Sequence, residues 1–273
     1  MNHLQDKVVV VTGAASGFGR LVSEKCIARG ATVYGLDVDA SGLSALQAAV
    51  PAVVTVPTDV TDLAQVQAAV RQAVADQGRV DVMINNAGTM PLAFFADHAQ
   101  AMQAWTRCLD INVKGVLNGI AAVYDQMIDQ GRGQVINLSS IYGNFPVVGA
   151  GVYGASKAAV DFLSASLRTE AQGKIKVTTI KPTGVPGTNL GSGIVNAEAI
   201  VGILGHKAAA YGQLMQAHQD GDLPAEYTDS DHIEYYALEP GHLADQIVYV
   251  MDQPWGVNIS EVTVRASGDA YIL

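Results

Sequence analysis

The stretch Val8-Val9-Val10-Val11-Thr12-Gly13-Ala14-Ala15-Ser16-Gly17-Phe18-Gly19 decides the fold. Four consecutive valines put β-branched apolar side chains on both faces of a strand, as in a sheet covered on both sides. The glycines that follow permit a tight turn, and beyond them Phe18, Leu21, Val22 and Cys26 fall on one helical stripe. A strand that turns on glycine into a helix offers unpaired N–H groups and a partial positive charge to an approaching phosphate. The spacing is Gly-x-x-x-Gly-x-Gly rather than the commoner Gly-x-Gly-x-x-Gly, so taken alone it also admits an ordinary glycine-rich turn.

Working outward, further β-branched runs alternate with helical segments. The runs are Thr32 to Asp37, Val53 to Thr58, Val80 to Asn85, Gln134 to Ser139, Ile175 to Ile180 and Glu261 to Arg265; Leu63, Val66, Val70 and Val74 make a second helical stripe. This alternation predicts an α/β fold: a Rossmann-type, doubly wound, parallel seven-stranded sheet with helices on both faces. No repeat or Pro/Ser linker divides the chain, so residues 1–273 read as a single dinucleotide-binding and catalytic domain. From about Thr183 to Pro240 the alternation breaks, and this insertion, residues 183–240, is expected to cover the carboxyl ends of the strands, where open α/β sheets bind ligands.

Apolar residues make up 49% of the chain and charged residues 15%, which excludes a disordered or charge-rich coiled-coil protein. The net charge of -10 argues against nucleic acid or an anionic membrane as partner. It is also localised: Ala208 to Val264 holds ten carboxylates and no Lys or Arg, while the rest of the chain carries sixteen of each sign. Cys26 and Cys108 are too far apart for any metal-ligand or CxxC spacing and suit a reducing, cytoplasmic compartment. Met1 to Lys7 lacks the apolar core of a signal peptide, and no segment reads as a membrane span. The six histidines show no ligand spacing, so no catalytic metal is expected.

Four residues carry chemistry beyond the glycine turn. Asp37 ends the second strand, eighteen residues after Gly19, where a carboxylate can accept hydrogen bonds from an adenosine ribose diol and repel a 2′-phosphate. Val38 and Ser16 supply no cation there to neutralise such a phosphate. Tyr153 and Lys157 stand four apart and share a helical face. A free phenol has a pKa of about 10, and a neighbouring ammonium favours its ionised form, so this pair can exchange a proton with an alcohol. Ser140, at the end of a neighbouring strand, is placed to bond the same oxygen.

Thr12 to Gly19, Asp59-Val60, Asn85-Asn86-Ala87-Gly88, Asn112-Val113-Lys114-Gly115, Ser140 and Tyr153-x-x-x-Lys157 follow one another in an order and spacing that resembles the short-chain dehydrogenase/reductase family, in its compact single-domain branch. The resemblance spans essentially the whole chain and is weakest between Thr183 and Pro240. It implies a catalytic tetrad of Asn112, Ser140, Tyr153 and Lys157. Tyr153 is then the general acid/base, Ser140 orients and polarises the substrate oxygen, Lys157 lowers the Tyr153 pKa and binds the nicotinamide ribose, and Asn112 holds a relay water. For the cofactor, NAD, the resemblance implies contacts from Gly13, Ser16, Gly17, Phe18, Gly19, Asp37, Asp59, Val60, Asn86, Ala87, Gly88, Tyr153, Lys157 and Pro182. Pro182-Thr183-Gly184-Val185-Pro186-Gly187-Thr188 departs from the family's pattern by one residue, which leaves Gly184, Val185 and Thr188 as candidates for the carboxamide contact.

Met90-Pro91-Leu92-Ala93-Phe94-Phe95 and Ile141-Tyr142-Gly143-Asn144-Phe145 flank the expected reacting carbon and are largely apolar. With Met90, Ser140, Tyr142 and Tyr153 as substrate contacts, the expectation is an NAD-dependent dehydrogenase or carbonyl reductase. Its substrate is expected to be a free, hydrophobic, cyclic or aryl-bearing secondary alcohol or ketone. An acidic cover disfavours substrates on acidic carriers or coenzyme A. The alternatives are an NADP-dependent ketoreductase, including the 3-oxoacyl type, and a non-catalytic NAD-binding regulatory protein. The resemblance also implies a homotetramer built on the helices near Ala101 to Gln130 and Tyr153 to Gln172.

Overall fold

Alternate valines of the first strand, β1 (Val8–Thr12), feed two different cores: Val9 and Val11 pack in one layer, Val8 and Val10 in the other. The structure, a computed structural model, describes residues 2–272. Strand and helix alternate through α1 (Gly17–Ala28), β2 (Thr32–Asp37), α2 (Ala40–Ala49), β3 (Val54–Pro57), α3 (Leu63–Gln77) and β4 (Val82–Asn85). They continue through α4 (His98–Leu109), a π-helical turn (Asp110–Lys114), α5 (Gly115–Asp129), β5 (Gly133–Leu138), α6 (Gly151–Glu170) and β6 (Ile175–Pro182). After β6 come short helices, α7 (Val201–Leu204), α8 (Ala208–Asp220) and α9 (Ala225–Thr228), then α10 (Pro240–Met251) and β7 (Glu261–Val264).

All seven strands are parallel, in the order β3-β2-β1-β4-β5-β6-β7. This is the Rossmann-type doubly wound sheet that the alternation predicts. One face carries the layer of Val22, Cys26, Leu43, Leu46, Leu243 and Ile247; the other carries Val66, Val70, Val123, Met127 and Leu167. The winding reverses between β1 and β4, so the ends of these strands open a crevice at the carboxyl edge.

Boundaries differ from the sequence reading at several ends. β4 starts at Val82 rather than Val80: the carboxylate of Asp81 accepts the Val8 N–H at 2.9 Å and pairs with Arg79. β6 runs on to Pro182, because its last residues pair with β7. Leu63 leaves the apolar stripe. It is the first residue of α3 and stays 38% exposed, one turn before packing begins at Val66. Cys26 and Cys108 are free and buried. Among the described residues no helix is long and apolar enough to cross a membrane.

Candidate active site

Four hydrogen bonds tie the turn after β1 to the turn after β4 across the crevice. The Thr12 hydroxyl accepts the N–H groups of Asn86 and Ala87 at 3.0 and 3.1 Å, and the Asn86 amide donates to the carbonyls of Thr12 and Gly13 at 2.8 and 3.1 Å. Gly13 and Gly17 have φ of 69° and 52°, a region in which a side chain is strained. A methyl group on Gly13 would also lie 2.8 Å from the Asn86 amide nitrogen. At Gly19 it would collide with the Gly13 carbonyl, so Gly19 lets α1 abut the turn. Ser16, at the N-cap, has extended backbone and no side-chain cap bond, and no acid occupies the first turn of α1. The opening N–H groups of this helix are left for an anion.

Beside that helix end lies a cleft of about 320 Å³. Its walls include Gly13, Ser16, Gly17, Phe18, Asp37, Asp59, Val60, Asn86, Ala87, Gly88, Tyr153, Lys157, Pro182 and Thr188. Asp37 accepts from the Ala15 N–H through Oδ2 at 3.0 Å and from the Asp39 N–H through Oδ1 at 3.0 Å. Each oxygen keeps lone-pair capacity for a diol. Asp59 folds its Oδ1 back onto the Thr61 N–H and hydroxyl at 2.9 and 2.8 Å.

Tyr153 and Lys157 stand one turn apart on α6, both buried. The Lys157 ammonium donates to the Leu138 carbonyl at 2.8 Å and lies 5.8 Å from the centroid of the Tyr153 ring. Ser140 opens a 3-10 turn, Ile141–Gly143; its hydroxyl accepts the Tyr142 N–H at 3.3 Å and is hydrogen-bonded to the Tyr153 phenol. The Tyr142 ring meets Tyr153 edge-on, with centroids 5.4 Å apart. Asn112 sits in the π-helical turn, a local irregularity frequent at functional sites. Its side chain closes on Thr89 with two hydrogen bonds of 2.9 and 3.0 Å and donates to Ser156 Oγ at 3.0 Å. Ser156 Oγ donates in turn to the Tyr153 carbonyl at 2.7 Å, so Asn112 anchors the base of α6.

Burial acts on both Tyr153 and Lys157. Burial pushes the Tyr153 phenol well up, opposed only in part by the hydrogen bond with Ser140. Burial also pulls the Lys157 ammonium down to about 8, with Cys108 and Asp161 acting against it. Both displacements favour the neutral pair, because desolvation outweighs an ammonium whose hydrogen bond goes to Leu138 rather than to the phenol.

The segment after β6 closes over the cleft. Thr188 stands across from Gly17, with Asn189, Leu190, Ser192 and Gly193 completing the wall. The N–H groups of Val195 and Asn196 both donate to the Leu92 carbonyl at 3.0 Å and hold the cover on the loop after β4. Of the three carboxamide candidates, Thr188 lines the cleft. Gly184 instead is pressed against the Tyr271 hydroxyl, and Val185 packs on the core. Gly19, Asn112, Ser140, Met90 and Tyr142 lie behind the cleft wall, the last two in an apolar cluster with Leu92, Ile203, Tyr211 and Tyr271. Sequence reasoning missed Arg107, the one basic side chain besides Lys157 on the wall, and Tyr271. For Arg107 the available signal was its helical phase before Ile111 and Asn112; for Tyr271 there was none, since long-range folding alone brings it there.

The model of the short chain dehydrogenase family matches residues 7–199. An uncharacterised oxidoreductase of Staphylococcus saprophyticus is 32% identical over 272 residues, covering 99% of this chain and all of the relative. Among solved structures, the closed form of serine dehydrogenase with NADP+ superposes with a TM-score of 0.75 at 27% identity, covering 94% of each chain. A short-chain dehydrogenase/reductase of Burkholderia phymatum in complex with NAD gives a TM-score of 0.73 at 27% identity, covering 96% of this chain and 90% of that one.

Proposed function

The chain belongs to the short-chain dehydrogenase family, and from that premise we propose that it moves a hydride between NAD(H) and a free, uncharged, hydrophobic secondary alcohol or ketone. The observation that carries this reading is that one cleft is lined by Tyr153, Lys157 and Asp37, with Ser140 beside Tyr153 behind its wall.

The residues present fit a dinucleotide. Gly13 and Gly17 leave a cradle without Cβ atoms, the uncapped N–H groups of α1 suit a pyrophosphate, and the Asp37 carboxylate suits a ribose diol. The nicotinamide, when bound, supplies or accepts the hydride. The protein's own residues handle the proton and the position of the oxygen. Ser140 holds the substrate oxygen, and the Tyr153 phenol, kept neutral by burial, donates a proton to it in reduction or recovers one in oxidation. Lys157 places a positive charge behind the phenol when protonated and eases its ionisation. Asn112 fixes Thr89 and the base of α6.

The preference for NAD rests on Asp37, since solved relatives hold either NAD or NADP+. Val38 beside it is 59% exposed and carries no charge. The substrate class rests on the apolar cluster that Tyr153 shares with Met90, Phe94, Tyr142, Ile203, Tyr211 and Tyr271. Of the ten carboxylates between Ala208 and Val264, Asp220, Asp222, Glu226, Asp229, Asp231 and Glu234 form an exposed acidic face, unfavourable to a carrier protein or coenzyme A. We assign the active unit as a homotetramer in the cytoplasm, on the exposed apolar residues of α4 to α6 and the free thiols. The test is a panel of secondary alcohols with NAD and NADP, followed by NAD(P)H absorbance. Turnover of cyclic or aryl alcohols with NAD supports the reading, and 3-oxoacyl thioesters on a carrier as the best substrates overturn it.

A further inference from the structure

Lys181, near the end of β6, is buried and charged, and the family's proton chemistry gives it no task. Its ammonium has three acceptors from three other elements: Asn144 Oδ1 at 2.9 Å, Glu261 Oε2 at 3.0 Å and Asp161 Oδ2 at 3.2 Å. Burial alone would pull Lys181 down; Glu261 and Asp161 outweigh it and hold the ammonium above its ordinary value. Asp161 lies on α6 one turn beyond Lys157, hence on the same helical face. Its second oxygen, Oδ1, is buried with no hydrogen-bond partner. Gly143, in the turn that follows Ser140, packs flat on α6 between the two, so close that a Cβ there would lie 2.9 Å from the Lys157 carbonyl carbon and 3.1 Å from Asp161 Oδ2.

We propose that Asp161 and Lys181 form a positioning pair that sets the charge state of Lys157 and, through it, the pH at which Tyr153 exchanges its proton. The charged and titratable groups around Lys157 are Cys108 from α4, Tyr142 from the turn after Ser140, Tyr153 and Asp161 from α6, and behind Asp161 Lys181 from β6 and Glu261 from β7. Burial keeps Cys108, Tyr142 and Tyr153 protonated at neutral pH. Asp161 is therefore the ionised neighbour that supports the Lys157 ammonium, and Lys181 tempers it. The Asn144 bond adds a second effect, tying the same pair to the loop that carries Ser140 and Tyr142. This inference rests on the reading of Tyr153 and Lys157 as the proton-transfer pair.

The two members of the pair have opposite charge, so their removal has opposite signs. In Asp161→Asn a negative charge is lost and the Lys157 proton leaves more easily. In Lys181→Met a positive charge is lost and the Lys157 proton is held more tightly. The full-length protein, labelled with 13C at lysine Cε, is titrated by NMR, with the Lys157 resonance identified by its loss in Lys157→Arg. In parallel, the pH midpoint of alcohol oxidation with NAD is recorded. D161N is expected to lower the Lys157 midpoint and, with the ammonium that eases phenol ionisation lost, to raise the oxidation midpoint; K181M is expected to do the reverse, each by on the order of one pH unit. The double variant D161N/K181M is expected to fall between. Shifts of the same sign in both single variants, or no shift in either, overturn the proposal, since a purely structural pair would produce one of these. If D161N does not fold, Glu261→Gln, at a side chain 52% exposed, must still move the Lys157 midpoint downward and the oxidation midpoint upward. Full turnover by Tyr153→Phe would sink the reading of the site while leaving the Lys157 titration to report on the pair.

Discussion

The Lys157 ammonium lies 5.8 Å from the centre of the Tyr153 ring and gives its hydrogen bond to the Leu138 carbonyl, not to the phenol. The interaction between the two is therefore Coulombic, and the phenol keeps its proton well above its ordinary pKa while the lysine loses its own near 8. Carbonyl reduction consumes a proton from Tyr153 and is expected to run well at neutral pH. Alcohol oxidation needs the ionised phenol and is expected to rise with pH through the alkaline range. Initial rates in both directions across the pH range check this; an oxidation rate that falls from neutral to alkaline pH contradicts it. Tyr153→Phe removes the proton carrier and is expected to cost about 10²- to 10⁴-fold in kcat, with NADH binding, followed by fluorescence, retained.

Asp37 provides the next prediction. Its two oxygens already hold the N–H groups of Ala15 and Asp39, and the remaining lone pairs point to the cleft as acceptors for a diol. Asp37→Ser removes charge-assisted hydrogen bonds, each worth roughly 1.5–3 kcal/mol. The kcat/KM for NAD is expected to fall roughly 10- to 100-fold. Adding Val38→Arg at an exposed position supplies a cation for a 2′-phosphate and is expected to reverse the preference. Equal kcat/KM for NAD and NADP in the unaltered protein would contradict the assignment.

The part of the site legible in sequence is the part encoded locally. Gly13 and Gly17 mark a turn by backbone conformation, and Tyr153 and Lys157 mark a helical face by their spacing. The seven strands were legible for the same reason, as apolar runs with local periodicity, although ends such as Val80 and Pro182 depend on what their neighbours bond. Lys181 with Asp161, and Tyr271 with Gly184, were not legible, because only the closed sheet and the returning chain bring them together. The burial of Lys157 was not legible either, because spacing gives proximity and says nothing of burial.

Met102, Leu109, Leu117 and Phe162, on α4, α5 and α6, are all large, apolar and exposed. Phe162, at 76%, is the most exposed of them, and such surface is normally covered in an assembly. If the proposed tetramer uses this face, Phe162→Asp with Leu117→Lys is expected to lower the mass in light scattering to that of two chains or one. An unchanged mass excludes this face from the interface.

Tyr271 is expected to limit the size of the substrate space. Its hydroxyl fills the position where any side chain on Gly184 would stand, and its ring packs 6.2 Å from Tyr211 within the cluster that surrounds Tyr153. The segment is held in place by Arg265, which pairs with Asp269 at 2.6 Å and donates to the Tyr271 carbonyl at 2.9 Å, and by the Ile272 N–H on the Ile203 carbonyl at 3.1 Å. Tyr271→Ala vacates a volume in the apolar cluster that also holds Tyr153, without touching the cofactor cleft, whose walls exclude this residue. The kcat/KM ratio of bulky aryl alcohols to small acyclic ones is therefore expected to rise about tenfold, equivalent to about 1.4 kcal/mol, while the Kd for NADH stays constant. Gly184→Ala forces Tyr271 out by collision and is expected to shift the same ratio in the same direction. A ratio that moves in neither variant would show that the substrate is held elsewhere.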